Sequence, residues 1–327
     1  MTIIGYHASH EQFPPDVLLQ CVRKAEEVGF EGAMCSDHFH PWSHQQGESG
    51  FAFAWLGAAL EATSLPMGVV CAPGYRYHPA IVAQAFATLG KMYPERIWAA
   101  FGSGQALNES ITGEVWPEKQ ERNARLRECY EIIDALWEGE TVSHHGRVEV
   151  VGAHLYTRPE TKPLARVAAI TAETARWAGG FAGGMITIAQ SLEETREVLE
   201  AFREGGGEGK PVFCQIQLSY DQDYERALSQ AYQEWKTNIF GSPVLSELPS
   251  PDHFEEAARF VSPEEMKEHV LISNESEQLG EWIRDVKELG FDGLFLHQVG
   301  PNQEEFLEVF GAEVLPGLKE DLGNEEH

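Results

Sequence analysis

The chain has 327 residues, a hydrophobic content of 43% and a net charge of −28, from 52 acidic against 24 basic side chains. That length suits one α/β barrel with insertions and allows a large core. The acidic excess argues against nucleic acid and anionic membrane surfaces as partners, and no stretch approaches the ~20 apolar residues of a membrane span.

Ile3-Ile4-Gly5-Tyr6 reads as a first strand, with no basic leader or cleavage site ahead of it. Pro14 to Gly29 carries Val17, Leu18, Cys21, Ala25 and Val28 at helical spacing. Gly32 to Ser36 is a second strand, Ala52 to Ala62 a helix and Met67 to Cys71 a third strand. Pro79 to Met92 is a helix with proline in its first turn, a favoured position. Ile97 to Phe101 is the fourth strand, ending in Gly102-Ser103-Gly104, and a long charged helix runs from Pro117 to Leu136.

Residues 141–156 break the rhythm with a hairpin turning at Gly146. Strands resume at Ala165 to Ile170, Gly184 to Ile188 and Pro211 to Tyr220, with helices at Ala172 to Gly179, Leu192 to Glu204 and Tyr224 to Trp235. The stretch 237–270 begins with proline-rich sequence of little periodicity and is expected to be a loop-rich insertion or lid. Val270 to Ile272 is short and apolar, Glu275 to Leu289 helical, Gly293 to His297 the last strand, and a helix near Glu304 to Phe310 closes the pattern. Such repeated alternation predicts a (β/α)8 TIM barrel forming a single domain over 1–327, with its site at the C-terminal strand ends. The five cysteines are scattered and odd in number, as in reduced thiols of a cytoplasmic protein.

Three strand ends carry chemistry. After the second strand comes Ser36-Asp37-His38-Phe39-His40-Pro41-Trp42, with His44 beyond. Asp37-His38 reads as a carboxylate beside a proton-transfer base, because histidine titrates near neutrality. His40 and His44 read as solvated loop residues. His38-x-His40 also matches the opening of a metal-dependent barrel hydrolase, although no further ligand set is evident: Gln298, not an aspartate, follows His297. Gly102-Ser103-Gly104 lets backbone approach a planar or phosphate-bearing ligand. Tyr75-Arg76-Tyr77-His78-Pro79 places a cation after the third strand, either to meet an anion or to cap the rim.

These motifs, with Ser9-His10-Glu11-Gln12-Phe13, Arg76-Tyr77-His78-Pro79-Ala80, Ala106-Leu107-Asn108-Glu109 and Trp116-Pro117, resemble glucose-6-phosphate dehydrogenases that use the deazaflavin coenzyme F420, within the bacterial-luciferase-like barrels. The resemblance is dense over about the first 140 residues and diffuse afterwards. It implies a homodimeric barrel with a flavin-type ring at its mouth. On that resemblance Asp37 contacts the ring, His38 takes the substrate proton, Trp42 steadies developing charge and Glu11 lines the pocket. Val69 and Val70 would form a bulge with a non-prolyl cis bond, and Ser103, Gly104, Thr171, Ala172 and Glu173 would touch the cofactor.

The departures concern the substrate. The family's general acid falls at Gln105, and an amide cannot deliver a proton. The sugar-phosphate clamp falls on Gln190 or Ser191, Glu256 and Glu268, which offer no cation. The glycine turn for the cofactor phosphate is replaced by Ile170-Thr171-Ala172, which leaves FMN open beside F420. The expected function is hydride transfer between a flavin or deazaflavin ring and a small non-phosphorylated alcohol or carbonyl substrate. The alternatives are an FMN-dependent monooxygenase, a metal-dependent hydrolase and a non-catalytic flavin-binding protein.

Overall fold

The computed structural model describes residues 2–320. The strands are β1 (Ile3–Ala8), β2 (Gly32–Cys35), β3 (Met67–Cys71), β4 (Ile97–Phe101), β5 (Val142–His145), β6 (Glu149–Ala153), β7 (Ala165–Ala168), β8 (Met185–Ile188), β9 (Val212–Tyr220), β10 (Leu271–Ser273) and β11 (Gly293–Gln298). The helices are α1 (Pro15–Val28), α2 (Ala52–Ala62), α3 (Pro79–Met92), α4 (Ala106–Glu109), α5 (Lys119–Glu138), α6 (Ala172–Gly179), α7 (Leu192–Phe202), α8 (Tyr224–Trp235), α9 (Ser242–Glu247), α10 (Pro251–Ala257), α11 (Ser276–Lys287), α12 (Gln303–Val309) and α13 (Leu315–Glu320).

Parallel ladders run β1-β2-β3-β4-β7-β8-β9-β11 and close on β1, where Ile3 pairs with Gly293. This is the (β/α)8 barrel that the alternation predicts. β10 adds a short parallel partner to the far end of β9, and β5 with β6 makes the separate antiparallel hairpin.

Alternate residues of each strand face opposite ways. Ile4, Tyr6, Val69, Ala99 and Val167 pack outward against the helices, whereas Met34, Trp98, Ile186, Phe213 and Phe295 fill the barrel interior. The interior rings need bare backbone opposite them: a Cβ on Gly68 would collide with the indole of Trp98. α1 starts with Pro15 in its first turn and stops at Gly29, whose φ of 105° suits glycine and whose N–H returns to Ala25 and Glu26.

Two expectations are corrected. The stretch 237–270 is not mainly loop: it holds α9, α10 and two segments of 3₁₀ helix, ordered by tertiary packing rather than by a long helical period. The peptide bonds of the described residues are all trans, so no cis bond stands near Val69–Val70, where β3 stays in register with β4 through Cys71.

Candidate active site

The mouth of the barrel is organised around two buried carboxylates supplied by neighbouring strand ends. Glu11 follows β1. Its Oε2 accepts from Ser9 Oγ at 3.0 Å and from the Ser36 hydroxyl, and its Oε1 lies 3.3 Å from His38 Nε2. Burial would raise this carboxyl, but the His38 ring and the Ser36 hydroxyl outweigh it and hold Glu11 below its ordinary value. His38 Nδ1 faces the His40 carbonyl at 3.3 Å. Both contacts of the ring are to oxygen acceptors. Trp42 packs on the same ring with centroids 4.9 Å apart.

Asp37 is the second carboxylate. Arg76 Nη2 donates at 2.9 Å to its Oδ2 and at 2.9 Å to its backbone carbonyl, and Tyr77 Oη donates to Oδ1 at 2.9 Å. Burial raises the Asp37 carboxyl, and Arg76 and Tyr77 offset only part of that. Arg76 is thus committed within the protein, to the carboxylate and carbonyl of Asp37.

α4 braces this half of the site. Asn108 Oδ1 accepts from the backbone N–H of Phe39 at 2.9 Å and of His40 at 3.3 Å, while His40 Nδ1 meets the Leu107 carbonyl at 2.8 Å. Ser49 Oγ donates to the His38 carbonyl at 2.7 Å. The loop bearing Asp37 and His38 is therefore tied from both sides. His40 turns away from His38, and among the described residues the one three-residue group with metal-ligand spacing is His44, Asp252 and Glu255, which contains neither.

A third polar group lies under the mouth. His7 and His297 pack against each other at a tilt with centroids 4.4 Å apart, Gln215 Nε2 reaches His297 Nδ1 at 3.3 Å, and His297 Nε2 meets Gln12 Oε1 at 2.9 Å. Gln12 Nε2 then donates to Glu234 Oε2 at 3.2 Å. Burial keeps both rings neutral, with His297 pulled down to about 3.

Over Trp42 lies the insertion. Phe254 of α10 meets the indole edge-to-face at 5.1 Å, and Leu107, Phe240, Leu245 and Leu248 complete the cluster. Arg122 of α5 holds the insertion down, donating to Glu247 at 2.7 Å and to Ser246 at 3.1 Å.

The rim residues are placed unevenly. Val70 and Ala168 border the mouth from inside the barrel, whereas the Val69 side chain is fully buried toward the helices and leaves only its backbone for a ligand. Thr171 caps α6 through Thr174 N, Ala172 packs on the core, and Glu173 points to solvent with Lys119 3.8 Å away. Gln105 starts α4, its Oε1 3.4 Å from Asn108 Nδ2. Of the positions that the resemblance gives to a phosphate clamp, Gln190 bonds the Ile170 carbonyl, Ser191 caps α7, Glu256 is exposed with Arg259 3.5 Å away, and Glu268 is exposed.

The rim is open at one point. A Cβ on Gly102 would meet nothing nearer than Ala168 Cβ at 3.9 Å and Val70 Cγ1 at 4.0 Å, so the end of β4 presents bare backbone between the side chains that close β3 and β7, and a planar ring could approach it there. Sequence reasoning missed Asn108, Glu109 and His7. His7 was accessible from the alternation of β1, which turns Gly5 and His7 inward.

The chain belongs to the luciferase-like monooxygenase family, whose model matches residues 2–293. Among individual relatives, it is 37% identical over 328 residues to an F420-dependent glucose-6-phosphate dehydrogenase of Kribbella flavida, covering 97% of this chain and 98% of that one. A solved F420-dependent secondary alcohol dehydrogenase, in complex with an F420-acetone adduct, superposes with a TM-score of 0.91 at 32% identity, covering 98% of this chain and all of that one. The F420-dependent tetrahydromethanopterin reductase of Methanopyrus kandleri shares the fold, with a TM-score of 0.78 at 21% identity over 97% of this chain and 99% of that one.

Proposed function

We propose that this protein is a cytoplasmic, homodimeric oxidoreductase that uses coenzyme F420, or FMN in its place, to transfer hydride between the cofactor ring and a small non-phosphorylated alcohol or carbonyl substrate. The observation that carries the reading is the His38–Glu11 pair, 3.3 Å apart at the barrel mouth, with Glu11 buried and His38 half-buried. The relatives named for F420 favour the deazaflavin. The buried, unpaired cysteines fit a reducing compartment.

Asp37 and the backbone of Gly102, Ser103 and Gly104 would hold the ring, with Thr171 and Ala172 nearer its side chain, and the bound ring would supply the hydride acceptor. The remaining chemistry belongs to this chain. His38 takes the hydroxyl proton of an alcohol, a step in which a placed base contributes about 10²–10⁴-fold. Glu11, held below its ordinary value by the His38 ring and the Ser36 hydroxyl, stabilises the imidazolium that results. Trp42 fixes the plane of His38, and the insertion behind it keeps water from the pair. In the carbonyl direction the same ring returns the proton.

A phosphorylated sugar is disfavoured. Arg76 is committed to Asp37, and the clamp positions offer Gln190, Ser191, Glu256 and Glu268, so a phosphate dianion would find carboxylates instead of cations. Mass and absorbance of any chromophore released on denaturation, followed by reconstitution with F420 or FMN and turnover of simple secondary alcohols, tests the reading. The expected result is a bound flavin-type cofactor reduced by a neutral alcohol and not by glucose 6-phosphate. Stoichiometric zinc without affinity for either cofactor would overturn it, and oxygen uptake with reduced flavin would make the protein a monooxygenase. Light scattering on the purified protein checks the dimer.

A further inference from the structure

Glu109, the last residue of α4, is 2% exposed and lies under the Gly102–Gly104 turn, where a Cβ on Gly104 would come within 3.1 Å of its Cγ. Its Oε2 accepts the backbone N–H of Arg76 at 3.0 Å. The Arg76 Nε stands 3.4 Å from Oε1, close enough for charge attraction but too oblique for a directed hydrogen bond, and it has no other acceptor. The same guanidinium is already engaged by Asp37 at 2.9 Å. One cation thus serves two buried carboxylates, and like charges that share a partner do not both ionise freely.

We propose that Glu109 is a positioning residue that governs the charge balance around Asp37 through Arg76, so that the site binds its anionic cofactor well when Glu109 carries a proton and less well when it does not. The inference rests on Asp37 as a cofactor contact. The groups facing Glu109 are Arg76 and Tyr77 from the loop after β3, Cys71 at the end of β3 and Asp37 after β2; Trp116 and Gly104 complete the surroundings without charge. Burial pushes the Glu109 carboxyl up, Arg76 restrains it, and the balance falls at about 7. Below that pH the Asp37–Arg76 pair is neutral as a unit. Above it the unit gains a buried negative charge beside the ring site, which opposes binding of an anionic cofactor. The raised value also fixes the stability trend of the empty protein. The contribution of Glu109 is complete below the pH at which an unfolded glutamate ionises and is lost by the time pH passes about 7.

The test uses the full chain and three proteins: wild type, Glu109→Gln and Asp37→Asn. The melting temperature of the cofactor-free wild type should fall between pH 5 and 8 in a step that Glu109→Gln lacks. Asp37→Asn should move that step to lower pH, because Arg76 then serves Glu109 alone. The dissociation constant for F420 or FMN, read by fluorescence, should weaken about fivefold more from pH 6 to 8 in the wild type than in Glu109→Gln, the change that a one-unit displacement of the Glu109 titration on binding gives over that range. Titration of the ligand itself is common to both proteins and cancels in the comparison. If Glu109→Gln and the wild type share one stability profile, or Asp37→Asn leaves the step unmoved, the proposal falls. If the melting steps behave as expected but neither cofactor binds at any pH, the assigned cofactor is wrong while the coupling stands. Should Glu109→Gln fail to fold, Glu109→Asp, which keeps the titration, gives the profile in its place; the loss of the step in that variant overturns the proposal.

Discussion

Replacing Phe254 by alanine separates the insertion from the barrel. The phenyl ring is fully buried, yet the surface it fills is local: Trp42, Leu107 and three half-buried side chains of the insertion itself. Removing a buried phenylalanine costs about 3–5 kcal/mol, and the low end applies here because short helices at the surface can settle into part of the cavity. A loss of ~3 kcal/mol raises the local opening equilibrium roughly 100-fold, since each 1.4 kcal/mol is a factor of ten. The strands of the barrel do not touch this ring, so their opening should be unchanged. Hydrogen exchange read by mass spectrometry on peptides covering 240–257, against those covering β1, β3 and β4, measures both. The expected result is loss of protection confined to α9 and α10, with a raised KM because Trp42 loses its backing. Equal loss of protection throughout the barrel would show that the insertion is not a separate opening unit, and unchanged protection of α9 and α10 would show that Phe254 does not hold it.

Further outcomes follow from the same geometry. Glu11→Gln removes the carboxylate that stabilises protonated His38; kcat/KM should fall about 100-fold with the cofactor dissociation constant unchanged, as checked by steady-state kinetics beside fluorescence titration. Gly102→Val fills the bare rim without a backbone clash, so the protein should fold normally and lose cofactor affinity by about tenfold or more. Gln105→Glu restores an ionisable group at the start of α4 and should add a second limb to the pH profile of kcat; an unaltered profile would show that position 105 does not face the reacting centre.

Much of the barrel was legible because its strands are short, apolar and bounded by turn residues, and because α8 announces itself twice, by helical spacing and by Asp223, which caps it through the backbone of Glu225 and Arg226. The insertion was not, for a physical reason. α9 and α10 have six and seven residues, too few to hold a helix by local propensity, and their order comes from Phe254 on Trp42 and Arg122 on Glu247. The Asp37–His38 stretch was visible as titratable groups behind a strand. Its support was hidden, since α4 has only four residues and no period to read, although Asn108 and Glu109 are what tie down the loop and its arginine. Whether Arg76 capped the rim or met an anion could not be read locally, because its partner lies 39 positions away in the chain.

The two acids that brace the site show why burial alone does not set a carboxyl's state. Glu11 and Glu109 are equally hidden, at 3% and 2% exposure, yet one is held below its ordinary value and the other raised to about 7. The difference lies in donors. Glu11 receives two hydroxyls and faces an imidazole that nothing else claims as an anion partner. Glu109 receives one backbone N–H and an oblique share of a guanidinium that Asp37 already holds. Each donor to a buried carboxylate lowers the cost of its charge, and a cation divided between two acids lowers it for neither in full. One mouth therefore contains an acid kept charged beside the proposed base and an acid free to hold a proton beneath the proposed ring, a division by environment that a count of carboxylates in the sequence would not reveal.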